Sequence, residues 1–522
     1  MSPLRSLSLT LASALLAGAL AAPAAAQSSP YAADALRFSE RAPGVTPRAM
    51  GLGGALVSGV ADPGALFANP AGLGLYRSSE AHGALGTAST TDDARYLVGG
   101  DETASEASYR TTRLGNLAYV ARVPTLRGAL VFALGYHQTN VFDRSLEFGG
   151  RTNASSISAS LLPADYEVDA DGNLTIFDDA AFIAYNAGLV EFLPENLPGK
   201  TYPFYEAVKA GTTIEQAGSV RESGSMNEVS AGAAVEAAPG VLVGGALNFS
   251  FGRYRFDRSF TETDVLGQNG PDDYVVILED RTLRGFESVE VTDRISDDLF
   301  GLSGRLGLSY APARSPVRLG LTLETPTYTT VNEDYSTVVE TRFDEGSLPA
   351  YGGQSGDVGF GTFEYTITTP WRIAAGASFG AAGLRLFADA EAVDWSQMRL
   401  DAGSDDAFFD EANDEIRRTL DAVVNTRLGA EYTLGALTVR GGYAFQPDPR
   451  ESTGLDRTFL SAGLSYALTP RTALDLGFVQ TRFDDAYAPY VVAGDLLGRA
   501  AQPLVEEDVT RNRFTLGVRV GF

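Results

Sequence analysis

Few side-chain types in this sequence are equipped for covalent or metal chemistry. Cysteine is absent, and histidine occurs only at His82 and His137. This removes thiol nucleophiles, disulfides, thiolate metal sites and any zinc site that needs several imidazoles. Gly376-Ala377-Ser378-Phe379-Gly380 fits the G-x-S-x-G pattern of serine hydrolases. That pattern works only on a sharp strand-to-helix elbow; here it closes an alternating run at a tight turn, and neither histidine is placed as its base. His137 beside a strand serine is the other hydrolase arrangement, but its alternation with Val131 and Gly135 suits a polar residue facing a lumen. Asp169-Ala170-Asp171-Gly172-Asn173 opens like a calcium loop, yet Leu174 replaces the glycine of position six and Ala180 the glutamate of position twelve. No catalytic residue, metal ligand or cofactor is expected.

What remains is arginine and carboxylate, set at alternate positions of apolar runs. If Val317, Leu319, Leu321 and Leu323 touch lipid, then Arg318, Thr322 and Glu324 face the other way. The same rule turns Arg305, Arg372, Arg385, Asp389, Glu391, Arg427, Glu431, Arg440, Asp475 and Arg519 inward. The reverse facing would place arginine in lipid at ~2–4 kcal/mol each at the midplane. Most such pairs satisfy one another; one or two free to grip a ligand carboxylate bidentately would be a binding site.

The elements that must hold these residues are strands. Every even position from Phe514 to Phe522 is apolar and every odd one polar or Gly, a period of two. Fourteen such runs are read between residues 81 and 522, including 81–90, 114–123, 128–138, 316–330, 364–379 and 511–522. Tight turns recur at Pro124-Thr125-Leu126-Arg127, Ala238-Pro239, Pro312-Ala313-Arg314-Ser315, Gly380-Ala381-Ala382-Gly383, Leu434-Gly435 and Thr469-Pro470, with long loops between the other pairs. An even strand count with alternating short and long connections is the pattern of outer-membrane barrels; a soluble all-β protein is the rival class. The largest loop is read at 139–226, with a helix from Asp179 to Leu193 that spaces Phe182, Tyr185, Leu189 and Phe192 along one side. That helix is either packing on the barrel rim or a landing surface for an apolar ligand.

Composition agrees. Lys+Arg number 40 against 66 Asp+Glu, a formal charge of −26, which excludes nucleic-acid binding through basic patches. Past the N-terminus no apolar run approaches the roughly 20 residues of a membrane helix. Residues 1–26 read as a secretory signal, with Arg5, the apolar stretch Leu11 to Ala22, and cleavage after Ala26.

Residues 27–80 do not alternate. They carry Arg48-Ala49-Met50-Gly51-Leu52-Gly53-Gly54-Ala55 and then Ala65-Leu66-Phe67-Ala68-Asn69-Pro70-Ala71-Gly72-Leu73. Gly51, Gly53 and Gly54 are misplaced for a dinucleotide fingerprint and follow no strand. A compact Gly-rich stretch ahead of a barrel reads as a hatch, or plug, in its lumen. The domain reading is therefore signal 1–26, hatch 27–80 and barrel 81–522.

With those two segments the chain resembles the FadL family of outer-membrane transporters for long-chain fatty acids and other hydrophobic compounds. Further likeness lies in Glu324-Thr325-Pro326, Thr369-Pro370-Trp371-Arg372 and Arg440-Gly441-Gly442-Tyr443. The resemblance implies an all-β, 14-stranded antiparallel transmembrane β-barrel, monomeric, with an N-terminal hatch. It implies passive uptake of a fatty-acid-like ligand that lands among the outer loops, passes the hatch and leaves sideways through a kinked strand. Asn69, Pro70 and Ala71 match the hatch triplet. Arg372 and Arg427 are chosen from their facing as contacts for an acidic head, and Phe182, Tyr185, Leu189 and Phe192 for an apolar tail. Phe522 is expected to engage the barrel-assembly machinery. The alternative function is a non-transport barrel that docks or shuttles secreted proteins, or serves structurally.

Overall fold

A computed structural model describes residues 30–98, 101–163, 165–169, 174–177, 179–192, 204–209, 211–278, 282–344, 346–351, 360–403, 407–450, 455–491 and 502–522. The proposed signal and its cleavage site lie outside the described residues, as does most of the calcium-like loop, 170–173.

Period-two alternation becomes one closed antiparallel sheet. Its staves are β1 (Glu80–Val98), β2 (Asp101–Val123), β3 (Leu130–Val141, resumed as Arg144–Thr152), β4 (Ile214–Ala238) and β5 (Val241–Thr263). There follow β6 (Ser288–Tyr310), β7 (Val317–Glu324, resumed as Tyr328–Phe343), β8 (Phe360–Thr368, resumed as Arg372–Ala381) and β9 (Leu384–Asp394, resumed as Arg399–Asp401). The circle ends with β10 (Ala422–Leu434), β11 (Leu437–Gln446), β12 (Arg457–Thr469), β13 (Thr472–Tyr487) and β14 (Leu504–Gly521). β14 pairs with β1 from Glu80↔Gly521 to Leu97↔Leu504, so no edge is left. The fourteen-strand expectation holds.

Facing holds as well. Leu319, Leu321 and Leu323 are exposed on the outer wall, whereas Arg305, Arg372, Asp389, Glu431, Arg440 and Asp475 are buried inside. The tight turns fall where expected, all at one end of the barrel with Phe522, whose N–H bonds the Ser79 carbonyl at 2.9 Å.

The outer half differs from expectation. Residues 91–113, read as a long loop, form the upper part of the β1–β2 hairpin, paired as far as Val98↔Asp101. β3 and β4 likewise consume both ends of the expected 139–226 loop, which shrinks to 153–213. The β2 extension is largely polar on both faces, whereas Ala94, Tyr96 and Val98 on β1 and Leu146 and Phe148 on β3 turn into the loop core. The helix expected from Asp179 to Leu193 ends at Asn186; Val190–Phe192 pairs instead with Phe204–Glu206. Gly188 at φ +63° turns the chain between the two.

Residues 30–76 fill the lumen with short helices: α1 (Pro30–Ser39), α2 (Pro47–Gly51) and the 3-10 turns Pro63–Leu66 and Pro70–Leu75. Three of them start alike, with Thr46-Pro47, Asp62-Pro63 and Asn69-Pro70. The polar residue caps, and the proline takes the first helical position, where a missing N–H costs nothing. Thr46 accepts from the Ala49 N–H at 3.1 Å, Asp62 from Gly64 at 2.8 Å and Asn69 from Ala71 at 3.0 Å. Thr46 also donates to Asp62 at 2.7 Å, tying two caps together.

Candidate functional site

The barrel wall receives the hatch through glycine. Gly135, Gly232, Gly244, Gly307, Gly320, Gly376, Gly429, Gly442, Gly463, Gly477 and Gly517 sit on eleven staves, and an added Cβ at each would press on a hatch atom or one close beside it. At Gly320 it would strike the Val57 carbonyl, and at Gly442 the backbone of Leu52 and Gly53. β9 has no such glycine; its Asp389 accepts the Val57 N–H at 2.8 Å. This girdle was missed in the sequence, although an inward glycine on stave after stave is a readable signal.

Asn69, the hatch residue singled out in advance, is fully buried at the centre of this contact. Besides capping Pro70–Leu75, its Nδ2 donates to the carbonyls of Val57 at 2.7 Å and Leu308 on β6 at 3.1 Å. One side chain thus ties two hatch segments to the wall. Pro70 and Ala71 press on Gly244 and Gly307, and Gly51 meets Gly463 and Gly53 meets Tyr443 at backbone distance. Gly54 packs on Pro43 and the Arg427 side chain. Arg48 holds Glu431 of β10 bidentately at 2.9 and 3.0 Å, and Arg440 shares that carboxylate at 2.6 Å.

Above the hatch stands a belt of charge. Arg305, 1% exposed, bonds Glu324 at 3.0 Å and lies 3.7 Å from Glu228. Arg41 of the hatch bonds Glu324 at 2.7 Å. Arg372 and Arg427, the two chosen for an acidic head, are brought together on one carboxylate, Glu391, at 3.3 and 3.1 Å. Arg372 is further committed to the Ser39 carbonyl at 2.8 Å and stacks on Trp395 at 5.1 Å. Arg427 is less engaged: its Nε–H is buried without a hydrogen-bond partner. These groups line a cavity of about 50 Å³, and a second of about 120 Å³ is lined by Arg37, Arg144, Arg457, Arg511 and Arg513 among others.

Higher still the lumen holds an apolar cluster, with the buried carboxylates Asp34, Asp297 and Glu333 among it, and the chain fills it with its own helix. Ala32, Ala35, Leu36 and Phe38 of α1 pack among Phe142, Tyr254, Leu299, Val331, Tyr365, Ile367 and Trp395 of the wall. Phe409 and Ile416, of the loop carrying α3 (Asp410–Thr419), cover them. Phe38 meets Tyr254 edge-on at 5.4 Å, and Tyr31 meets Phe409 at 5.1 Å. Nothing in the sequence announced where α1 would dock.

The outer loops carry a core of their own. Leu189 is fully buried in it, and Phe182, Tyr185 and Phe192 are half-buried, with Phe192 against Phe204 at 5.3 Å. These four do not meet Arg372 or Arg427 in one pocket. Gly376 to Gly380 lie inside a continuous segment of β8, with no elbow at Ser378.

A structure described as a FadL homologue of Pseudomonas aeruginosa superposes with a TM-score of 0.52, at 12% identity, over 92% of this chain and 99% of that one. The two chains share one fold, a closed barrel with an N-terminal plug. A family model described as Gram-negative porin matches residues 242–486, and with the closed transmembrane barrel it assigns the protein to the outer membrane. This chain is also similar to the TodX deltaS2S3 mutant monoaromatic hydrocarbon channel, with TM-score 0.50 and 13% identity over 92% and 99% of the two chains. The toluene transporter TbuX of Ralstonia pickettii gives 0.48 and 17% over 93% and 100%. No curated protein matches the sequence.

Proposed function

We propose that this barrel carries hydrophobic compounds inward across the outer membrane by diffusion, with long-chain fatty acids as the leading class. The observation that carries the reading is the apolar cluster above the hatch, lined by the wall and filled by α1. A chamber that takes an apolar helix face also suits an apolar solute once that helix moves. Such a solute gains ~0.8 kcal/mol for each buried methylene.

The similar barrels described as a FadL homologue and a monoaromatic hydrocarbon channel support the ligand class. Arg427, with a donor free, is the group to orient a carboxylate, and Arg372 beside it holds Glu391 aside. Phe182 and Tyr185, at the partly exposed edge of the loop core, are the proposed first contact, with Leu189 and Phe192 packing behind them. The docking alternative called for a lumen packed solid with paired charges and an apolar surface outside on the loops; the charge belt fits the first, and the apolar cluster around α1 stands inside the wall.

Native mass spectrometry from mild detergent tests the reading: co-purifying fatty acid or neutral lipid is expected at one to one. A clean apo mass, with no shift on adding hexadecanoate or toluene, would remove it.

A further inference from the structure

On β4, β5 and β6 the lipid-facing wall gives way to arginine. The outward residues of β5 are apolar from Val243 through Leu247 to Phe249, and those of β6 from Tyr310 through Leu302 to Phe300. This band closes on aromatic rings. Phe249 stacks on Phe251 with centroids 6.1 Å apart, and Phe251 meets Tyr136 of β3 at 6.3 Å. Rings at that place mark the boundary between hydrocarbon and head groups. The next outward residues along β5 are Arg253, Arg255 and Asp257, all exposed.

Strand pairing lays this surface out in three rows. The lowest is Ser225 of β4, Arg253 of β5 and Asp298 of β6; the middle is Ser223, Arg255 and Ser296; the upper is Arg221, Asp257 and Arg294. Rows stand about 7 Å apart along the strands, and columns about 5 Å apart across them. Four guanidinium groups share the surface with two carboxylates, and Asp334 of β7, opposite Ser296, bounds it. Arg253 takes Asp298 at 2.7 Å. Arg221 and Arg294 stand on either side of the one Asp257, with Arg294 3.6 Å from it and Arg221 over the Tyr109 ring at 4.6 Å. Arg255, at the centre, has no ion pair among the described residues and is flanked by two serine hydroxyls.

The complement of this surface is an anion already held at head-group height. On β1, β13 and β14 the outer wall turns Asp93, Asp484 and Asp508 outward, in a chain of charge −26, so a free anion meets repulsion on approach. A lipid head is fixed at that level by its own chains. A phosphate monoester offers three acceptor oxygens, enough for the Arg255 fork, a serine hydroxyl and a guanidinium of a neighbouring row. Such charge-assisted, bidentate bonds are the strong ones, and arginine makes them where lysine does not.

We infer that the outward face of β4, β5 and β6 binds an outer-leaflet lipid whose head carries phosphate monoesters. Arg255 centres the site, Arg221, Arg253 and Arg294 surround it, and the acyl chains lie over Phe249, Phe300 and Leu302. The site shares no group with the lumen and stands or falls apart from the transport reading.

Native mass spectrometry of the whole barrel in mild detergent with EDTA tests it. The probes are hexa-acyl lipid A with its two phosphates, the same lipid with both phosphates removed, and inorganic phosphate. EDTA removes divalent cations that would bridge phosphate to the acidic staves. The phosphorylated lipid should bind at one per chain and at least tenfold more tightly than the dephosphorylated one, with a preference that shrinks as salt is raised. R221Q/R255Q should weaken it at least tenfold, and R482Q, which removes an exposed arginine of β13, should not. Equal affinity of the wild-type chain for the two lipids overturns the site without recourse to any variant. Unchanged binding by R221Q/R255Q, or an equal loss in R482Q, overturns it as well. Displacement of the lipid by inorganic phosphate at equal concentration would mark a free-anion site and overturn the assignment to a lipid.

Discussion

Replacing Asn69 tests whether the hatch is pinned or merely packed. Asn69→Ala removes the cap acceptor of the Ala71 N–H and the donor shared by the Val57 and Leu308 carbonyls. A lost cap costs about 1 kcal/mol. Each buried carbonyl left without a donor costs about 1–3 kcal/mol, less where a second bond satisfies it. The hatch should lose roughly 2–4 kcal/mol against local opening. With tenfold per 1.4 kcal/mol, amide exchange of residues 46–76 should speed up by roughly 30- to 1,000-fold, and exchange in the β4–β5 ladder should stay unchanged. Asn69→Asp separates the two roles: the carboxylate keeps the cap and loses the donor, facing two carbonyls. It should be worse than alanine at pH 8 and partly rescued at pH 5, where a protonated carboxyl can donate. Equal exchange in wild type and both variants would refute the reasoning, because the glycine contacts alone would then be holding the hatch.

Binding of saturated fatty acids should tighten by up to about fourfold per methylene, from ~0.8 kcal/mol of burial. Arg427→Ala should weaken hexadecanoate about tenfold or more and leave hexadecanol unchanged, as titration calorimetry in detergent would show. Burial pushes the Glu191 carboxyl, in the outer loop, up to about 7. Because the folded value is raised, that hairpin is most stable below the ordinary carboxylate range and loses stability as pH rises through 7. Its exchange, corrected for intrinsic rate, should accelerate from pH 5.5 to pH 8, and Glu191→Gln should abolish the trend. Phe522 is exposed at the end of β14 with its ring beside Tyr119. Its deletion should lower the heat-modifiable fraction in outer membranes, as expected of an assembly signal, and unchanged assembly would count against that role.

The chain separates its charges, and this shapes what it can carry. It is acidic overall, yet the two lumenal cavities gather arginine from nearly every quarter of the wall. The acidic excess stands on the outer extensions of the staves, where Asp93 lies opposite Asp508 and Asp508 opposite Asp484. A carboxylate approaching from outside meets repulsion first and attraction only near the hatch. An apolar tail that enters the loop core first, with the head following, avoids much of that barrier.

How far the sequence could be read depends on which solvent each face meets. Leu319 and Leu321 are legible because lipid tolerates no alternative, and the same constraint turns Arg305 and Glu431 inward. Above the bilayer that constraint ends: Glu102 to Arg113 form a strand that is largely polar on both faces, invisible to a hydrophobic pattern. The hatch could be recognised by Asn69-Pro70-Ala71, but its seat could not, because the glycines that receive it are distributed over eleven staves that only the closed sheet brings to one level. Pro326 and Pro370 lie within the runs read as 316–330 and 364–379, and a proline inside a central strand is itself evidence against an unbroken one; β7 and β8 both break there.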